Sequence, residues 1–312
     1  MSFLCVKESS FAEIEPRTKN RERLLSFGID YLDDSMLGIM PNDLILIGAY
    51  SGAGKTAICC NIAAANIAKG KRVHYIALEA EIYEIERRIK YQFFANFFFK
   101  DPERPKIDIN FQNWMMGDYF ESCKLYEAQA QKEMEEKFST LFVLYKQNKF
   151  DVQDLIFTVT SFSDETDLII VDHIHYFDYD DDKENRAIKE IAKTARMLTL
   201  EQGKPMILVS HLRKRDRTTD DICPGIEEFH GSSDLYKIAT KAVTLGPGDS
   251  DTAGQIDTYF RVVKNRFDGS VTRFIGKAAY LQKEGKYDQL WLPRLSVSED
   301  LPAGLNHGLL IS

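Results

Sequence analysis

The sequence predicts an α/β fold: a mostly parallel central sheet with helices packed on both faces. Three observations predict it. Short apolar, β-rich runs recur along the chain, longer helix-like segments separate them, and a glycine-rich loop joins the first run to the first helix. Near-continuous apolar strands that alternate with helices belong to sheets buried on both sides, which parallel sheets are.

Residues 1–25 are polar and of mixed charge and read as an N-terminal arm. The strand candidates follow as LILIGAY (44–50), RVHYIAL (72–78), LFVLY (141–145), DLIIVD (167–172), PMILVSH (205–211) and KAVTLG (241–246). Between them, TAICCNIAAANIAKG (56–70) and AIKEIAKTARMLTLEQG (187–203) have helical spacing. Residues 100–140 break the rhythm with KDPERPKIDI and the acidic, aromatic ESCKLYEAQAQKEMEEKF, which reads as a helical insertion or an enlarged helical connection. Near the end, TYFRVVKNRF and VTRFIGKAAYL flank Asp268-Gly269, a β-hairpin signal. Residues 291–312 read as a C-terminal tail.

The composition is that of a soluble globular protein: of 312 residues, 44% are hydrophobic and 28% charged. A net charge of −8 argues against non-specific nucleic-acid binding through a uniformly basic surface, and leaves room for a local basic patch. The five cysteines have neither CxxC pairing nor a histidine at zinc-finger spacing, and read as reduced thiols of a cytoplasmic protein. No apolar run has the ~18 residues of a membrane span, and the first residues have no long apolar segment of a secretory signal.

Chemistry enters at AYSGAGKT, Ala49 to Thr56, a phosphate-loop pattern with Ala49 in place of its first glycine. The small residues Gly52, Ala53 and Gly54, with Ser51, let successive backbone N–H groups close around phosphate oxygens at a helix N-terminus. Lys55 would bridge the β- and γ-phosphates of ATP (or another NTP), and Thr56 would hold Mg²⁺ through its hydroxyl. Asp172 ends a buried strand, as a Walker B carboxylate does opposite such a threonine. A strand-ending aspartate is common by itself; the phosphate loop gives this one its metal role. Glu79 ends the neighbouring run RVHYIALE and would reach a water in line with the γ-phosphate, although a first-turn glutamate of the next helix would look the same. Asp178, Asp180 and Asp182 alternate as in a calcium loop, but Lys183 and Lys189 replace the turn glycine and the closing glutamate, so the stretch reads as an exposed acidic loop.

In this order the motifs resemble RecA-like hexameric helicases of the DnaB type, and most closely the helicase half of bacteriophage primase–helicases. The resemblance runs from FGIDYLDDSMLGIMPNDLILIGAYSGAGKT through IALEAE, VDHIHYF, LVSHLRKRD and HGSSDLYKIATKAVTLG to VVKNRFDG, over about residues 25–290. It implies a RecA-like P-loop NTPase core over 26–290 with a helical insertion at about 100–140. Glu79 becomes the catalytic glutamate and His211 the γ-phosphate sensor. Lys264 and Arg266 become a Lys-x-Arg pair acting in trans on a neighbour's ATP, and Tyr280 stands where an aromatic can stack near the base. The implied partners are other copies of the chain in a ring, a hexamer by family habit, single-stranded DNA, and a primase or loader protein.

The family threads DNA past loops after the Walker B and sensor strands. The second loop here carries Arg213, Lys214, Arg215 and Arg217, a cluster that holds phosphates or is simply solvated. The first loop is the acidic one. Beyond it, Arg186, Lys189, Lys193 and Arg196 share a helix face, available to DNA or to a neighbouring subunit. His230 stands where relatives usually have an arginine before Gly-Ser, and no primase or collar domain is expected ahead of the core. The expected function is an ATP-hydrolysing DNA helicase or single-stranded-DNA translocase in replication. The alternative is a RecA-like ATPase of regulation, recombination or assembly that does not unwind.

Overall fold

The computed structural model describes residues 24–179, 184–212, 223–229, 232–248, 255–267, 274–281, 286–288 and 295–296. One sheet runs through all of them but 223–229. Its parallel part has the order β3 (Leu141–Tyr145), β2 (Val73–Ala77), β4 (Leu168–Asp172), β5 (Met206–His211), β1 (Leu44–Ala49) and β6 (Lys241–Gly248). Beyond β6 it turns antiparallel through β7 (Gln255–Asn265), β8 (Phe274–Leu281) and β10 (Leu295–Ser296), with β9 (Lys286–Asp288) also on β8. The six predicted runs are thus the six parallel strands. The predicted hairpin is the β7–β8 pair, and its turn at 268–273 lies outside the described residues.

Parallel strands bury both faces, so side-chain parity divides each between two cores. From β1, Ile45, Ile47 and Ala49 face a core closed by α1 (Asp30–Met36) and α2 (Lys55–Ile67). Leu44 and Leu46 face the other, closed by α6 (Val152–Ser161), α7 (Glu184–Gln202) and α8 (Ser232–Ile238). Helix α6 starts from a reciprocal cap in which the Asp151 carboxylate accepts from the Asp154 N–H and the Asp154 carboxylate from the Asp151 N–H.

The connection from β2 to β3 carries α3 (Glu84–Lys100), α4 (Phe111–Met115) and α5 (Phe120–Lys137). Tyr91, Phe94 and Phe98 of α3 meet Ile109, Cys123, Tyr126 and Ala130 in a third small core. The Tyr126 hydroxyl donates to Asp101 Oδ2 at 2.7 Å, and Lys90 pairs with Glu127 at 3.3 Å, so α5 is fastened to α3. Residues 101–140 therefore enlarge a β–α–β crossover. Among the described residues, no helix is long and apolar enough to cross a membrane.

At the end of the sheet away from the phosphate loop, Lys241 is buried at the start of β6. Its ammonium donates to Asp43 Oδ2 at 2.6 Å and Gly38 O at 2.8 Å, while Thr240 Oγ1 donates to Asp43 Oδ1 at 2.7 Å. Removing one partner of a buried pair strands the other charge. Asp43→Ala should cost about 3–5 kcal/mol of stability, read as a lowered urea midpoint with unchanged slope.

Candidate functional site

The ladder fixes where the strand ends meet. Ala77 pairs with Asp172 and Ala49 with His211, and β4 pairs with β5 through Val171 and Leu208. The C-terminal ends of β2 and β4 finish together and those of β5 and β1 two residues further at the same edge, which is where ligands bind in open α/β sheets. By parity, Tyr75 and Ala77, Ile170 and Asp172, Val209 and His211, and Ala49 lie on one face, the face that α2 covers.

The phosphate loop turns from β1 into α2 through two left-handed glycines, Gly52 at φ 79° and Gly54 at φ 87°. A Cβ at Gly52 would meet nothing within 4 Å, so the backbone angle rather than crowding calls for glycine, and the space above it is open. Lys55 at the start of α2 is buried and donates to Tyr50 O at 3.1 Å, and its Nζ lies 3.0 Å from His211 Nδ1. Burial lowers its pKa, against the pull of Asp172 and Glu79. Asp172 is buried, and its Oδ2 accepts from the Tyr75 hydroxyl at 2.7 Å. Burial raises its pKa, and hydrogen bonds from Tyr75 and Thr56 oppose the rise. Its Oδ1 is buried without a well-formed hydrogen bond among the described residues. An orphaned acceptor beside the Thr56 hydroxyl fits a divalent cation or its water.

Glu79 follows β2 with a half-exposed carboxylate. Its Oε2 lies 3.0 Å from His173 Nε2, and its Oε1 accepts from the Tyr176 hydroxyl at 3.3 Å. His211 packs edge-on against His173 with ring centroids 4.2 Å apart. His175 bridges outward, with Nε2 3.2 Å from Ser210 Oγ and Nδ1 3.3 Å from Glu184 Oε1. A cleft of about 610 Å³ opens over these groups, lined by Ser51 to Ala57, Glu79, Ala80, Glu81, Glu84, Arg88, His211 and Thr258.

A cleft of that size over a phosphate-loop turn is a nucleotide site by its form. The family model described as the DnaB-like helicase C terminal domain matches residues 25–266, from before α1 to the end of β7. The chain belongs to the DnaB-like helicase C-terminal domain family. It is an ATP-hydrolysing helicase domain of the replicative kind.

Solved structures agree on the fold. The ATPase domain of a phage helicase superposes with a TM-score of 0.77 at 16% identity, over 93% of this chain and all (100%) of that one. A DnaB-like replicative helicase, studied with its interactions with primase, gives 0.73 at 17% identity, over 93% of this chain and 68% of that one. A KaiC-like protein from the hyperthermophilic archaeon Pyrococcus horikoshii OT3 gives 0.55 at 15%, over 85% of this chain and 97% of that one. No curated protein matches the sequence. The reading as a non-unwinding RecA-like ATPase is not better supported.

The helicase domain keeps Lys264 and Arg266 far from its own cleft. Thr258 of β7 lines the cleft, and Arg266 lies eight residues further on, roughly 27 Å at the rise of an antiparallel strand. Lys264 donates to Tyr236 O and, at 3.2 Å, to Lys237 O, with its ammonium 4.5 Å from the centre of the Tyr236 ring. Burial and then Arg266 lower its pKa. The Arg266 side chain is exposed, while its N–H donates to Thr240 O at 2.9 Å. Tyr280 lies in β8 opposite Ile256 of β7 and Tyr287 of β9. Arg213, Lys214, Arg215, Arg217, Asp180, Asp182 and His230 lie outside the described residues. Asp178, read as part of the acidic loop, is tied down: its Oδ2 accepts from Lys146 Nζ at 2.8 Å and from Phe150 N at 2.6 Å, and Lys146 holds its pKa low. On α7, Arg186 and Lys193 are exposed, whereas Arg196 turns back to donate to Asn42 O.

Sequence reasoning did not single out Tyr75, His173, His175, Tyr176 or Arg88. Three of them follow Asp172 directly, in the run VDHIHYF. Glu79, His173 and His211 bring one ligand atom each within 4.8 Å of one another. The Lys55 ammonium beside His211 disfavours a cation among them, so the trio suits a hydrogen-bonded carboxylate better.

Burial, then Lys55 and His175, push the His211 pKa from 6.5 down to about 4, and burial with His211 beside it pushes His173 down to about 2. In that window the unfolded chain binds protons that the folded chain does not. This contribution to stability is complete above about pH 6.5 and falls as pH drops toward 4. Melting temperature should be lower near pH 5 than near pH 7.5, with a shallower dependence in His211→Gln.

Proposed function

We propose that this domain hydrolyses Mg²⁺-ATP at a site shared between neighbouring copies in a ring, and uses the cycle to move along single-stranded DNA. The observation that carries the reading is the separation along β7: Lys264 and Arg266 stand at the end of the sheet opposite their own cleft. Charges so placed can act on a nucleotide only if another subunit holds it.

Within one cleft, Ser51 to Thr56 hold the phosphates through backbone N–H groups, with Lys55 on the β- and γ-phosphates. Thr56 and Asp172 would hold the Mg²⁺, which would neutralise the charge that develops on the phosphates. Lys55 gives up its contact with His211 to reach phosphate, leaving His211 facing the γ-position as a sensor. Glu79 takes the proton of the attacking water, a general-base role worth about 10²–10⁴ in rate. The neighbour's Arg266, with Lys264, stabilises charge on the transferring phosphoryl group, worth roughly 10³–10⁵. Tyr280 stacks near the base. Arg213, Lys214, Arg215 and Arg217 hold the DNA phosphates, with affinity that falls steeply as salt rises. The related DnaB-like replicative helicase interacts with primase, which supports a primase or a loader as a further partner here.

Glu79→Gln and Arg266→Ala should each lower kcat by about 10²-fold or more. Mixing the two proteins should restore part of the rate, because a subunit with Glu79 then meets a neighbour with Arg266. Wild-type activity in Arg266→Ala, or no recovery on mixing, would sink the shared site. ATPase activity should also rise with protein concentration and with added single-stranded DNA. A rate indifferent to DNA at every concentration would exclude the translocase reading.

A further inference from the structure

We infer that His173 is a positioning residue for hydrolysis: its ring, with the Tyr176 hydroxyl, sets the attitude of the Glu79 carboxylate. The inference rests on the general-base role proposed for Glu79.

The tautomer follows from the contacts. His173 is fully buried, packed edge-on against His211 on one side and against Tyr176 at 4.7 Å on another. Its Nδ1 accepts the backbone N–H of His175 at 3.4 Å. A neutral imidazole has one N–H, so a ring that accepts at Nδ1 carries its proton on Nε2. The Nε2–H is therefore a donor. It is buried, forms no well-directed hydrogen bond, and has Glu79 Oε2 at 3.0 Å. A carboxylate shifted onto the N–H direction would satisfy it, and an unpaired buried donor is costly enough to favour that shift.

The second oxygen is held as well. Tyr176 OH donates to Oε1 at 3.3 Å from the same short segment after β4. One donor per oxygen leaves about half of the roughly four lone-pair directions of a carboxylate free for a water in the cleft. The clamp matters because Glu79 lies past the end of β2, half-exposed, where the backbone does not fix its rotamer. A purely structural histidine would pack as well as a phenylalanine of similar shape. His173 differs by one buried N–H whose neighbour at 3.0 Å is that carboxylate.

His173→Phe keeps the ring and removes the donor, whereas His173→Gln returns an amide N–H near the Nε2 position. Steady-state ATPase with single-stranded DNA should show His173→Phe lowering kcat about 10- to 100-fold with the KM for ATP nearly unchanged. His173→Gln should recover most of the loss. In a Glu79→Ala background, His173→Phe should reduce the residual rate no further. Tyr176→Phe, on a partly exposed ring whose loss does not threaten folding, should show the same split at about threefold. Wild-type kcat in both His173→Phe and Tyr176→Phe would overturn the inference. So would a His173→Phe loss that persists in full without Glu79, or a glutamine no better than phenylalanine. Full activity in Glu79→Gln would instead remove the base role itself, whereas an inactive Glu79→Gln beside a fully active His173→Phe would remove only the positioning role.

Discussion

Everything at the nucleotide site depends on the register of four parallel strands. Ala77 opposite Asp172, and Ala49 opposite His211, bring the strand ends to one edge, β1 and β5 two residues beyond β2 and β4. Parity then turns Tyr75, Asp172 and His211 to the α2 face, where Lys55 and Thr56 wait at the helix start. A slip of one residue in β4 would send Asp172 into the opposite core and Val171 toward Thr56. The slip is forbidden by burial on both faces: Leu168 and Ile170 fill one core, Ile169 and Val171 the other. The hydrophobic layers thus act as the ruler for the chemistry, and α2 is held to it by Ile58, Cys59, Ile62 and Ala63.

The same burial makes the site electrically tense. It lowers the Lys55 pKa and raises that of Asp172, each toward its neutral form, while the charge of each partly restores the other. Tyr75 and Thr56 tip Asp172 back toward the carboxylate, and Tyr50 O and His211 occupy the Lys55 ammonium. Each of these contacts is one that phosphate or a cation would replace with a stronger one. A site whose internal bonds are weaker than those to its ligand is preorganised at small cost.

The strands were legible because buried parallel strands read as apolar runs; β3 coincides with its predicted run, and the others shift by one or two residues at an end. Lys55 and Thr56 stood out through the phosphate-loop pattern, Asp172 and Glu79 as carboxylates at strand ends, and His211 through the family resemblance. Other parts of the site depend on tertiary contact. Tyr75 looks like any core aromatic until β4 brings Asp172 to its hydroxyl. Asp178 looked solvated because its partner Lys146 comes from another strand's end, far back in the chain. The packing of α5 on α3 was hidden too, because Tyr91, Phe94 and Phe98 show only a helical apolar face and not what it meets.

The two ends of the sheet finally constrain assembly. The cleft sits at the C-terminal ends of β1, β2 and β5, whereas Lys264 and Arg266 sit beside the N-terminal end of β6, where Thr240 O takes the Arg266 N–H. On the proposal of a shared site, one subunit's far end must face the next subunit's cleft. Two different surfaces then meet, so the contact is heterologous, and repeating it closes a ring or runs on as a filament. A single symmetric pair cannot satisfy it readily, because patches roughly 27 Å apart on opposite ends of a rigid sheet would both have to enter one interface. The antiparallel return of β7 is what carries the pair to that far end. It makes a strand that starts beside the nucleotide finish where the neighbour's nucleotide would be.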